Sequence, residues 1–119
     1  LERVLGNVAE NLFLTKKKCM LLLAKQGFNL IIDDVIIEDE WNEYLKVFKK
    51  FSIIKIGVFG SLDDLVKRES KRKDRPTGLV RGYFDIVHLG KKYDLKLNTS
   101  KMSAKKCAQK IKESFKKLN

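Results

Sequence analysis

The segment RESKRKDRPTG, residues 68–78, sets Arg68, Arg72 and Arg75 at i, i+4 and i+7 and then breaks on Pro76 and Gly78. A guanidinium fork matches the oxygens of a phosphoryl group. On a continuous helix the three arginines would share one face, where like charges repel unless an anion sits between them. The Pro and Gly that follow would give such a segment the hinge of a lid. The alternative is a solvated or nucleic-acid-facing charge run, since residues 67–75 hold six basic side chains against Glu69 and Asp74 alone.

A second group is Asp33 and Asp34, which interrupt the apolar run NLIIDDVII, residues 29–37. Carboxylates closing a buried strand are costly unless hydrogen bonds, a cation or a metal satisfies them. In phosphoryl-transfer enzymes an acidic residue there orients Mg2+ or its waters. The other reading is that one of them caps the next helix or pairs with a nearby basic residue. His88, the chain's single histidine, has no Ser or Cys at a readable spacing, so a structural or capping role is expected. Cys19 and Cys107 show no ligand spacing and are expected to be reduced packing cysteines, not zinc ligands.

These residues need elements to position them. Residues 7–26 fit a helix, with Val8, Leu12, Cys19, Leu22 and Leu23 on one face and Gly27 as its stop. The run 29–37 fits a parallel core strand covered on both faces. Residues 38–50 start acidic, end basic and space Trp41, Leu45 and Phe48 for a helix. A second strand over 52–60 ends on Gly60, and Ser61 opens a helix that runs into the arginines. A short helix over 79–88, a half-exposed strand over 93–100 and a final helix follow. Ser103 caps that helix, and its apolar stripe is Ala104, Cys107, Ala108, Ile111 and Phe115. Strands alternating with helices make the class α/β with a parallel sheet, whose ligands bind beyond the carboxyl ends of the strands. Asp33, Asp34, Gly60 and Asn98 to Ser100 should fall at that edge.

At 119 residues, 44% hydrophobic and 34% charged, the chain fits one globular domain over residues 1–119. The longest apolar run, Cys19 to Ala24, is six residues, against the roughly 20 that a bilayer-spanning helix needs. No membrane partner is therefore expected, and no secretory leader is visible, which makes a cytoplasmic location the default. A net charge of +11 favours acidic partners. Much of it comes from seven lysines between Lys101 and Lys117, spaced as a solvated helix face. The alternative function is a basic nucleic-acid-binding module that exploits this charge; against it, Phe48, Phe51 and Phe59 sit in core patterns and do not interleave with basic residues, so no nucleic-acid partner is expected.

Taken in order, NLIIDDVI, Trp41, IIKIGVFGSLDDLVKRE, the RxDR of Arg72 to Arg75, GLVRGYFDIVHLGKKYDLKLNTS and CAQKI resemble the chloramphenicol phosphotransferase-like family of P-loop kinases, from about Asn29 to Ile111. The resemblance implies ATP-dependent phosphoryl transfer, with Mg2+, to a hydroxyl of a small molecule; chloramphenicol is the substrate in the founding member. It implies that Arg72 and Arg75 are lid arginines acting on the transferring phosphate. Arg68 would flank the adenine, with Asn98, Thr99, Ser100 and Lys101 as the other wall of that site. Asp33 and Asp34 would lie near the magnesium. Asn98 departs from the acidic residue the family tends to place there.

The resemblance also implies a glycine-rich G-x-x-x-x-G-K-[ST] loop whose amides cradle phosphates, and these 119 residues contain none. The chain opens on Leu1 without Met. It is expected to be an N-terminally truncated part of such a domain, or a remnant, with its first two strands absent and no activity by itself. In the family's three-layer fold the sheet order would be 2-3-1-4-5. The strands at 29–34 and 53–58 would then flank an empty slot, leaving open edges and a marginal fold, or pair directly.

Overall fold

The computed structural model describes residues 6–37 and 39–118. The chain divides into two compact units, Leu1–Ile53 and Ile54–Asn119.

In the first unit α1 spans Asn7–Lys25 and α2 spans Glu40–Val47. α1 stops where the sequence places Gly27, whose φ of 86° is left-handed. There the Phe28 N–H donates to Leu23 O at 3.2 Å and the Gly27 N–H to Ala24 O at 3.0 Å. A glycine just past a helix permits this pair of bonds, which satisfies its last carbonyls. α2 is acidic in its first turn and ends with Lys46, as the dipole favours. It turns Tyr44 inward, followed by Phe48 at its C-terminal end, 7% and 6% exposed, with their rings stacked at 6.3 Å. α1 packs against α2 and buries Lys17, whose ammonium pairs with Glu43 and lies over the Tyr44 ring. A lysine is tolerated in such a place only when its charge is compensated.

Two expectations fail in this unit. The supposed apolar face of α1 is open, with Val8 75% and Leu12 64% exposed, because α2 is short and covers little of a 19-residue helix. Residues 29–37 form no strand, and Ile31 is fully exposed while Ile32 and Val35 are about half exposed. A strand persists only where neighbours take its N–H and C=O groups and other elements cover its faces. No such neighbour occurs in this unit among the described residues, so hydrophobicity alone leaves the run irregular. Among the described residues the segment takes part in no sheet. Ile37 alone is buried, its N–H donating to Glu40 Oε2 at 3.4 Å.

The second unit holds β1 (Ile56–Phe59), α3 (Leu62–Ser70), α4 (Leu79–Tyr83), β2 (Leu95–Asn98) and α5 (Ala104–Leu118). β1 and β2 pair in parallel, Ile56 opposite Leu95 and Phe59 opposite Asn98, with helices in the crossover. The class is α/β, as the alternation requires; among the described residues the sheet has two strands. Leu97 on β2, 1% exposed, anchors the core against α5, which contributes Cys107. The two serine caps are in place: Ser61 Oγ accepts from Asp64 N and Ser103 Oγ from Lys106 N, both at 3.3 Å.

Beside β1 lies an aromatic cluster. The His88 ring stacks on Phe59 at 3.8 Å, and Tyr93 meets Phe59 edge-on at 5.9 Å. His88 Nε2 lies 3.1 Å from Val58 O, an acceptor, so Nε2 carries the proton; Nδ1 then accepts from the Tyr93 hydroxyl at 2.7 Å. His88 is thus structural, as expected. Burial, with Lys91 and Lys96 nearby, holds its pKa below the ordinary histidine value despite the bond to Val58. A depressed folded pKa means that the unfolded chain binds the proton better. The contribution is therefore full above the unfolded value of about 6.5 and is lost as pH falls through the folded pKa. Because this is the chain's single histidine, thermal melts between pH 7.5 and 5 should show a decline that a His88→Gln variant lacks.

α3 ends at Ser70 with Lys71 as its cap, so Arg72 and Arg75 lie beyond the helix and not on one face with Arg68. Glu69 gives the reason. Its carboxylate accepts from Gly78 N and Val80 N, both at 2.9 Å, tying the end of α3 to the start of α4 and folding back the intervening segment. Gly78 at φ 98° makes the turn. The backbone bonds from Val80 and Gly78 hold the Glu69 carboxyl below its ordinary pKa. Removing this tie in Glu69→Ala should free the segment. Trypsin cleavage between Lys71 and Arg75 should accelerate several-fold while the far-ultraviolet spectrum is unchanged.

Candidate functional site

Where parallel strands end, the crossover loops converge, and in the second unit the carboxyl ends of β1 and β2 bring together Gly60, Ser61 and residues 98–101. Thr99 is the joint. Its N–H donates to Phe59 O at 2.8 Å and its hydroxyl to the same oxygen at 3.0 Å. Arg68 reaches across from the last turn of α3, donating through one terminal nitrogen to Thr99 Oγ1 at 2.9 Å and through the other to Thr99 O at 2.8 Å. A planar fork with two fixed donors is held in one orientation by two such acceptors, which a lysine could not reproduce.

The rest of the loop is ordered by short side chains. Ser100 Oγ accepts from Ser61 N at 2.8 Å and sits 3.3 Å from Ser61 Oγ. Asn98 Oδ1 accepts from Ser100 N at 3.0 Å. An asparagine amide does here what a carboxylate could also do, shaping the turn by a bond to the backbone two residues on. Lys101 is exposed at the end of the loop, its N–H on Asn98 O. Asp64 on α3 faces the same edge, its carboxyl held below the ordinary range by Ser100 and Ser61, with Arg68 and Lys67 adding to the effect. Gly60 passes so close that a Cβ there would meet Leu65 Cδ2 at 3.0 Å and Thr99 Oγ1 at 3.2 Å.

Arg72 and Arg75 are exposed on the segment after α3. Arg72 donates through Nε to Asp74 Oδ1 at 3.1 Å and through a terminal nitrogen to Asp74 Oδ2 at 2.9 Å, and Arg75 Nε lies 3.8 Å from the same Oδ2. The sequence places three arginines together; the structure joins Arg68 to the strand-end loop and Arg72 and Arg75 to Asp74.

Asp33 and Asp34 belong to the first unit. Asp34 Oδ2 accepts from Lys16 Nζ at 2.6 Å and from the Tyr44 hydroxyl at 2.7 Å. Burial would raise its pKa, but the bonds from Lys16 and Tyr44 outweigh that and hold it below the usual carboxylate range. Burial and the bond to Asp34 push the Tyr44 phenol far up. Neither partner was singled out in the sequence, although Tyr44 lies one turn from Trp41 on an obvious helix. Asp33 is exposed, and both aspartates line a groove of about 300 Å3 with Lys16, Met20 and Leu23. Among the described residues no three His, Cys, Asp or Glu side chains converge as a metal cage. A magnesium ion carried by a nucleotide needs only one or two carboxylates, with phosphates and water completing its shell. Asp33 carries the exposed carboxylate of the two, whereas that of Asp34 is already paired with Lys16 and Tyr44.

The sequence model of the family described as chloramphenicol phosphotransferase-like protein matches residues 4–116. The chain belongs to the chloramphenicol phosphotransferase-like family. Two curated relatives from two strains of Mycobacterium tuberculosis, each named "Putative O-phosphotransferase", are 34% identical to it over 90 residues. The match takes in 75% of this chain and 40% of each relative, so the chain spans about two fifths of their length. No solved structure matches it. No helix among the described residues is long and apolar enough to cross a membrane.

Proposed function

We propose that this chain is part of an ATP-dependent phosphotransferase that phosphorylates a hydroxyl of a small molecule. The carrying observation is the Arg68–Thr99 clasp at the carboxyl ends of the parallel strands, in a chain of a phosphotransferase family. Strand ends are where such sheets receive ligands, and a guanidinium held flat by two bonds offers its face to an aromatic base. In this reading Arg68 lies against the adenine, and Asn98, Thr99, Ser100 and Lys101 form the facing wall. Arg72 and Arg75 come to the transferring phosphate, where fixed positive charge stabilises the oxygens as the bond changes hands. Mg2+ would supply charge neutralisation when bound; within the first unit Asp33 is the exposed carboxylate that would hold it through water, with Asp34 steadied by Lys16 and Tyr44.

These 119 residues contain no G-x-x-x-x-G-K-[ST] segment, so the chain alone should bind nucleotide weakly and not turn it over. The test is titration of ATP with Mg2+ into the chain, followed by the amide signals of residues 98–101. Saturable shifts at Thr99 and Ser100 are expected. Absence of any ATP effect there, or phosphorylation of an acceptor by this chain unaided, would overturn the reading.

A further inference from the structure

Asp74 stands out because of what it occupies. A carboxylate and a phosphoryl group present the same pair of coplanar oxygens to a guanidinium fork. Arg72 grips Asp74 in that two-pronged manner, through Nε at 3.1 Å and a terminal nitrogen at 2.9 Å, while Arg75 Nε approaches the same carboxylate at 3.8 Å. Both arginines of the segment therefore face one anion, supplied from between them in the chain. We propose that Asp74 is a built-in stand-in for the phosphoryl group, holding Arg72 and Arg75 paired until a phosphate displaces it, and so setting how tightly the segment takes an oxyanion.

The inference deepens the kinase reading and rests on it for its place in catalysis, though the binding competition can be measured separately. Three features of the segment support it. Glu69 fixes both ends of the segment, through Gly78 and Val80, so Asp74 can swing away without releasing α3 from α4. All three charged side chains are about half exposed or more, so exchange with a solution anion needs no unfolding. Arg72 and Asp74 each favour their charged forms, chiefly through their mutual hydrogen bonds, which keeps the contact in place at neutral pH. An exposed pair of this kind is weak enough to give way to a multiply charged anion.

The experiment is calorimetric titration of inorganic pyrophosphate into the wild-type chain, Asp74→Asn, Asp74→Ala and the double variant Arg72→Gln/Asp74→Asn. Freeing the fork and removing a repelling charge should tighten pyrophosphate binding about fivefold in both single variants, the scale of an exposed ion pair. The double variant should lose the gain. Unchanged or weaker binding in Asp74→Asn and Asp74→Ala, no measurable binding by any chain, or a gain that survives without Arg72 would overturn the stand-in role. ATP separates this from the kinase reading. A pyrophosphate gain in a chain that does not bind ATP would retain the stand-in and sink the kinase. ATP binding that Arg68→Ala weakens, with no effect of Asp74→Asn, would do the reverse.

Discussion

Arg68→Ala is expected to weaken ATP binding by roughly 10- to 100-fold, the range for losing hydrogen bonds made by a charged group together with the stacking surface it orients. Two contributions add. The guanidinium face is lost, and so is the clasp that fixes Thr99 by its hydroxyl and its carbonyl. Arg68→Lys should recover little, because a point charge on a flexible stem cannot hold two acceptors in one plane. Thr99→Val should fall between, since it removes the hydroxyl acceptor and leaves the carbonyl. Arg68 is exposed, so the fold should tolerate both Arg68 changes, whereas Thr99→Val also loses the hydroxyl bond to Phe59 O; melting curves would check each. Equal ATP affinity in Arg68→Ala and the wild type would remove Arg68 from the site.

The largest effect on stability should come from Gly57→Ala. Alanine usually favours a strand interior over glycine, so a neutral or positive result would be the ordinary outcome. Here the added Cβ would lie 2.7 Å from Phe59 Cε2 and 2.7 Å from Tyr93 Cδ2. Neither ring can step aside cheaply, because Phe59 is stacked on His88 and the Tyr93 hydroxyl bonds its Nδ1. Overpacking of this kind costs about 1–3 kcal/mol, which for a small domain lowers Tm by roughly 5 to 15 °C. Making room should soften the loss: Gly57→Ala placed in a Tyr93→Leu background ought to cost less than in the wild type. A Gly57→Ala chain that melts at or above the wild-type temperature would show that the rings rearrange freely.

His88 and Gly57 illustrate how differently single residues disclose themselves. A lone histidine without a nucleophile in reach was readable as structural. Its partners Val58, Phe59 and Tyr93 were not, since nothing in the spacing joins a strand to a turn some 30 positions later. The glycine gave no local sign at all. Its requirement arises from two rings, one of which arrives from beyond α4.

What the sequence determined by itself is the helix boundaries set by short-range chemistry, and the family. The helix starts at Ser61 and Ser103 and the stop at Gly27 follow from short-range chemistry: a hydroxyl that accepts an orphan N–H and a residue free to take positive φ. The ordered motifs around the arginines pointed to the family that the match over residues 4–116 establishes. Only the tertiary structure decided which charges meet. Periodicity carried the three arginines along one helix, but Glu69 captures the amides of Gly78 and Val80, ends the helical path at Ser70 and leaves Arg72 and Arg75 with Asp74. Residues 29–37 had every composition cue of a core strand and lack one because a strand is completed by its neighbours, a property that no residue in the segment carries.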